Sequence, residues 1–276
     1  MSLYINSTEN NSVTYACGSK AVALSEIASV GIEIPDFLCI EYGYFQKYCL
    51  ENHIMPLDEF YSCDHYCEEE IEKFNYQKDD LEFDSKLKEF ALHEVMVRSS
   101  AVPARDTDYE QFPSMVSGIY DSYPATGVNE MKRSIINVWK SAYAEKAYKH
   151  WKLFDVKMEG MSVVIQRYIH PSISGVAHIK PKRVSINWMK GHLSDIVSGK
   201  YTGKSIESYI SSEGECIIRG TESDILDIIR GGHEDAFDEL SRTCYRIIQL
   251  KGKPQEVEWI YDNKCIWIVQ TQDLID

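Results

Sequence analysis

The stretch Gln255-Glu256-Val257-Glu258-Trp259-Ile260-Tyr261-Asp262-Asn263-Lys264-Cys265-Ile266-Trp267-Ile268-Val269-Gln270 consists of two β-forming runs around a polar Asp-Asn-Lys break and predicts a hairpin. Alternation along the first run puts Glu256 and Glu258 on one face and Val257 and Trp259 on the other. Two carboxylates on one face repel each other, so the face is either solvated, as on a wet edge hairpin, or set against a cation. Hard divalent ions such as Mg²⁺ take oxygen ligands. A three-residue loop, Asn263 to Cys265, sets Gln270 directly opposite Glu258 and adds an amide oxygen to that face. A two-residue loop, Asp262-Asn263, turns Gln270 to the other face, because a one-residue slip exchanges the faces of a strand.

The rest of the chain narrows the setting. With 276 residues, 44% of them hydrophobic, it has material for one large domain or two lobes. The 43 acidic residues outnumber the 29 basic ones, and a formal charge of -14 opposes general binding to nucleic acid or to an anionic membrane. An anionic substrate therefore needs a local basic site. No apolar run approaches the length of a membrane span and the first residues are polar, which gives a cytoplasmic expectation. The eight cysteines lack the paired spacing of a zinc ribbon and are expected as reduced thiols, those of Cys63-Asp64-His65-Tyr66-Cys67 included.

Ala16-Cys17-Gly18-Ser19-Lys20 runs from a short loop into a helix carrying Ala21, Leu24, Ile27 and Ala28 at helical spacing. A glycine turn, helix-start N–H groups and the Lys20 ammonium together suit a phosphate, although a surface lysine has the same signature. Val95-Met96-Val97 leads into Arg98-Ser99-Ser100-Ala101, placing at a strand end a guanidinium fork that matches phosphate oxygens. Pro103 to Gly118 reads as a polar loop over a site. One long helix is predicted from Val128 or Asn129 to near Asp155. Strands follow at Ser162 to Ile169, Ser174 to Ile179 and Arg183 to Trp188, then a helix over Asp235 to Leu250 before the hairpin.

In this order the blocks resemble the nucleotide-binding domain of the phosphoenolpyruvate synthase and pyruvate phosphate dikinase family. The resemblance is carried by Gly18-Ser19-Lys20, Pro35-Asp36-Phe37, Val97-Arg98-Ser99-Ser100-Ala101, Ser117-Gly118, Val138-Trp139, Val164-Ile165-Gln166, Ser174-Gly175-Val176-Ala177, Pro254-Gln255-Glu256-Val257-Glu258-Trp259 and Val269-Gln270. It implies an α+β, ATP-grasp fold of two lobes, residues 1–154 and 155–276, with the nucleotide in the cleft between them. It further implies that Lys20 and Arg98 bind the phosphates of ATP and act in catalysis. Ser117 and Gly118 would close over the phosphates, and Gln166, Arg167, Tyr168 and Ile169 would lie along the adenine. Glu258 and Gln270 would hold Mg²⁺ with Glu256 beside them.

The implied function is ATP-dependent phosphotransfer, to a histidine on a separate domain or partner protein and from there to a small-molecule acceptor. None of the eight histidines here stands in the family's threonine-serine-histidine motif. Other departures are Ser19 for a glycine, Gln272 for an arginine, Ser194 (beside Asp195) for a glutamate, and a short turn at Lys180-Pro181-Lys182. These keep two alternatives open: a weakened, regulatory ATP-binding domain and an ATP-grasp carboxylate ligase.

Overall fold

Strand β3 (Glu94–Pro103) lies against β5 (Met158–Arg167) at the centre of one sheet in the computed structural model. The structure describes residues 3–6, 13–75, 84–104, 118–154, 157–192, 203–210 and 216–274, and only the backbone of 3–6 and 84–86. The sheet runs β1 (Leu3–Asn6), β2 (Phe37–Ile40), β5, β3, β4 (Ser122–Thr126), with every pairing antiparallel. A central strand has no wet face, which accounts for the almost unbroken burial of Gly160-Met161-Ser162-Val163-Val164-Ile165-Gln166.

Helices cover one face. Phe45 and Tyr48 of α2 (Tyr42–Glu51) and Trp139 of the helix Gly127–Ser141 pack with Val97, Val163 and Ile165 in a core rich in aromatic rings. The single long helix expected from residue 128 to 155 is two, Gly127–Ser141 and Glu145–Phe154. The break is held by side chains. Tyr61 Oη donates to the Ala142 carbonyl at 2.6 Å and Tyr66 Oη to the Tyr143 carbonyl at 3.1 Å, so the carbonyls released at the break are satisfied.

The second sheet runs β11 (Ile266–Asp273), β10 (Gln255–Tyr261), β6 (Ile173–Lys180), β7 (Arg183–Lys190), β8 (Lys204–Ile210), β9 (Cys216–Gly220), again antiparallel throughout. The helix Glu234–Lys251 buries Phe237, Leu240, Cys244 and Ile247. Phe237 meets the rings of Trp188 and Trp259 edge to face, at 5.2 and 5.7 Å. Trp259 crosses the sheet over Gly175, where a β-carbon would stand 2.9 Å from the indole and 2.1 Å from the Asn187 carbonyl. Glycine is therefore the residue that lets the tryptophan lie flat.

These α+β elements form two compact units, Met1–Ser25 with Asp36–Tyr168, and Glu26–Pro35 with Ile169–Asp276. The boundary expected at 154/155 thus falls at 168/169, because β5 is hydrogen-bonded between β2 and β3 of the first sheet. Among the described residues no helix is long and apolar enough to cross a membrane.

Candidate functional site

In the first unit, a 3-10 turn over Tyr15–Cys17 passes into helix α1 (Gly18–Ser29) through Gly18 at φ 77°. That left-handed angle and the approach of Ser100 both require glycine, since a β-carbon would lie 2.3 Å from the Ser100 carbonyl oxygen. The approach seats the helix start on β3, within the strand rather than at its end. Lys20 Nζ donates to Ser99 Oγ at 3.3 Å and the Ala21 amide to Ser100 Oγ at 3.4 Å. The Gly18 amide donates to Tyr15. Two of the helix-start N–H groups are therefore used inside the protein, and the Lys20 ammonium stands on the hydroxyl of the residue next to Arg98.

Arg98 Nη1 donates to Gln166 Oε1 at 3.0 Å. The strand register explains the contact: Arg98 pairs with Val164 and Met96 with Gln166, so Arg98 and Gln166 share a face on adjacent strands. Gln166, expected in the second lobe, lies buried in the first unit beside Arg98. Arg167 ends β5. The Tyr168 amide donates to Glu94, and Ile169 opens the second unit. Gly118 has a positive φ of 66°, and its carbonyl accepts from Lys146. Ser117, Ser194, Asp195 and most of the polar loop after Pro103 lie outside the described residues.

In the second unit Glu258 stands directly opposite Gln270. The loop that produces this pairing is neither of the two expected. Tyr261 pairs with Ile266 across four residues, 262–265, with Asn263 at φ 71° and Asp262 Oδ1 accepting from the amides of Lys264 and Cys265 at 2.9 and 3.1 Å. Carried along unbroken, that register would put Val269 opposite Glu258. A bulge between the Trp259–Ile268 and Glu258–Gln270 pairs absorbs one residue and restores the facing of carboxylate and amide.

Glu256, on the same face, is engaged differently. Its Oε1 accepts from Gln272 Nε2 at 2.6 Å and its Oε2 lies 3.1 Å from His178 Nε2. The bond with His178 is the chief reason its carboxyl is held below the ordinary glutamate range, with burial working in the opposite direction. His178 was not singled out by sequence reasoning. The usable signal was alternation from Ser174 through Val176 to His178, on a strand directly paired with β10.

The sequence matches the family described as pyruvate phosphate dikinase, AMP/ATP-binding domain, over residues 68–225, more than half of the chain. The chain belongs to this family. The matched segment of the pyruvate phosphate dikinase AMP/ATP-binding domain includes Arg98 and Gln166 and stops short of Lys20 on one side and of the β10–β11 hairpin on the other. Relatives extend the likeness. A rifampicin phosphotransferase of Bacillus subtilis is 24% identical over 93% of this chain and 34% of its own length. One of Bacillus cereus is 27% identical over 66% of this chain and 23% of its own. The chain thus spans about a third or less of these curated relatives. Among solved structures, a D-alanine–D-alanine ligase of Bacillus anthracis complexed with ATP superposes with a TM-score of 0.39 at 11% identity, covering 94% of this chain and 56% of that one.

Proposed function

We propose that this chain is an ATP-grasp nucleotide-binding domain that takes up Mg·ATP and supplies its phosphoryl group to a histidine of a separate domain or partner protein, which passes it to a small-molecule acceptor. Membership in the AMP/ATP-binding family supports the nucleotide. The observation that carries the metal is the direct facing of Glu258 and Gln270, a carboxylate and an amide oxygen on adjacent strands, which is the donor chemistry a hard divalent cation takes.

The residues divide the work by charge. Arg98 offers a planar fork to two phosphate oxygens, and Lys20 a point charge whose direction is set by Ser99. Both stabilise negative charge on phosphate oxygens as transfer proceeds. Gln166 holds one edge of the Arg98 guanidinium, so the fork is aimed before the nucleotide arrives. Glu258 and Gln270 would hold Mg²⁺, which when bound neutralises phosphate charge and orients the transferring group.

Calorimetric titration of the full chain with ATP, with and without Mg²⁺, tests this reading. The expected outcome is Mg²⁺-dependent binding that weakens at least about tenfold in Lys20→Ala, Arg98→Ala and Glu258→Ala. Binding that is unchanged in all three overturns the assignment. Gln272 favours one second reading, ATP binding with slow transfer, because a neutral amide engaged with Glu256 stands where relatives are expected to have a cation. Turnover with an added histidine domain, with rifampicin tried first as acceptor, separates the two readings.

A further inference from the structure

We propose that His178, through Glu256, and Gln272, by its own hydrogen bond to Gln270, are positioning residues for the metal pair that fix which way the Gln270 amide faces. The proposal rests on the assignment of Glu258 and Gln270 to Mg²⁺. Three strands bring the group together: His178 of β6 is paired with Glu256 of β10, and Glu256 with Gln272 of β11. Gln272 lies two residues beyond Gln270, on the same face.

The hydrogen-bond directions follow from one fact, that an ionised carboxylate only accepts. Gln272 must therefore turn its NH₂ toward Glu256, as it does at 2.6 Å. Its Oε1 then lies on the other side of the amide and accepts from Gln270 Nε2 at 3.3 Å. That bond commits the NH₂ of Gln270 toward Gln272 and leaves Gln270 Oε1 on the side away from it. A hard cation needs that oxygen; an amide rotated by half a turn would present N–H groups and repel it. His178 occupies the remaining oxygen of Glu256 at 3.1 Å and pins the carboxylate from which the sequence of orientations starts.

The two glutamates thus have different tasks. Glu256 spends both oxygens on orientation, and Glu258, one pleat along, faces the amide that has been oriented. The His178–Glu256 contact is partly exposed, at 38% and 27%, and an ion pair of that kind adds little to stability. Its effect should appear in metal affinity instead, because partners behind a ligand typically tune metal binding by about 10- to 100-fold.

The experiment compares the ratio of ATP affinity with Mg²⁺ to that in EDTA for the full chain and for Gln272→Leu, His178→Leu, His178→Gln and Glu258→Ala, with melting temperatures measured in parallel. The expected result is a ratio reduced about tenfold in both leucine variants. Metal-free affinity should be unchanged, and His178→Gln, which keeps an N–H donor, should retain the wild-type ratio. A ratio unchanged in both leucine variants while Glu258→Ala abolishes it overturns the positioning role and leaves the metal site standing. A ratio insensitive to Glu258→Ala overturns the metal assignment and the positioning role with it. A leucine variant that lowers only the melting temperature marks a structural role and counts against the proposal.

Discussion

Gly18 lies so close to Ser100 that any side chain at position 18 would enter the carbonyl oxygen of the strand. Gly18→Ala adds a positive-φ backbone penalty of about 1–3 kcal/mol to an overpacking cost of about 1–3 kcal/mol. The variant should melt well below the parent in a thermal scan. Because Lys20 is two residues on, its ATP affinity should fall as well. Gly252→Ala, also at positive φ but with open space around it, should show only the smaller backbone penalty.

The break between the helices Gly127–Ser141 and Glu145–Phe154 makes Tyr61 more than a packing residue. Tyr61→Phe keeps the ring and strips the partner from the buried Ala142 carbonyl, at a cost of about 1–3 kcal/mol. Tyr123→Phe removes a hydroxyl bonded to an exposed carboxylate and should cost little. Urea titration of the two variants side by side gives the difference directly.

His233 precedes the helix Glu234–Lys251, and burial holds its pKa below the ordinary 6.5, helped by the charge of Lys190 and opposed by Glu234. The helix start also disfavours a cation there. A histidine depressed in the fold takes up protons more readily in the unfolded chain. Its contribution to stability is therefore full above 6.5 and is lost as pH falls from 6.5 through the folded value. Melting temperature followed from pH 7.5 downward should fall less steeply in His233→Gln than in the parent, and parallel curves would count against this account.

The bulge in β11 makes a prediction by deletion. Removing Val269 straightens the strand while leaving Gln270 opposite Glu258, so Mg²⁺-dependent ATP binding should survive. Adding one alanine between Val269 and Gln270 turns the amide to the helix-covered face and should abolish the metal dependence. Calorimetry with and without Mg²⁺ reads both.

What the sequence disclosed was local pattern. Glu256-Val257-Glu258 alternates strictly and lies on a strand with the expected facing, while Arg98, expected at a strand end, stands in the middle of β3. Strand ownership was harder to read, because Met158–Arg167 has the same β-rich composition whichever sheet takes it, and pairing with β2 and β3 decides the matter over long range. The helix break at Ala142 was hidden for a similar reason: its carbonyls are satisfied by tyrosines some eighty positions earlier, 81 in the case of Tyr61. Strands such as Lys204–Ile210 and Cys216–Gly220 carry few buried residues and gave little periodic signal. The facing of Glu258 and Gln270 was one of two open outcomes, and the bulge that produces it has no signature in residue type.

The second unit borrows Glu26–Pro35 from early in the chain. The Ile268 amide donates to the Glu33 carbonyl at 2.9 Å, Arg246 bonds to the Val30 carbonyl, and Lys251 pairs with Glu26 225 positions away. During synthesis this segment leaves the ribosome long before its partners exist, while the first unit can close as soon as β5 has emerged. The second unit must wait for β11, the strand that bears Gln270. Assembly of the proposed metal pair therefore follows closure of the first unit, and a chain stalled before Ile268 would carry Lys20, Arg98 and Glu258 without Gln270.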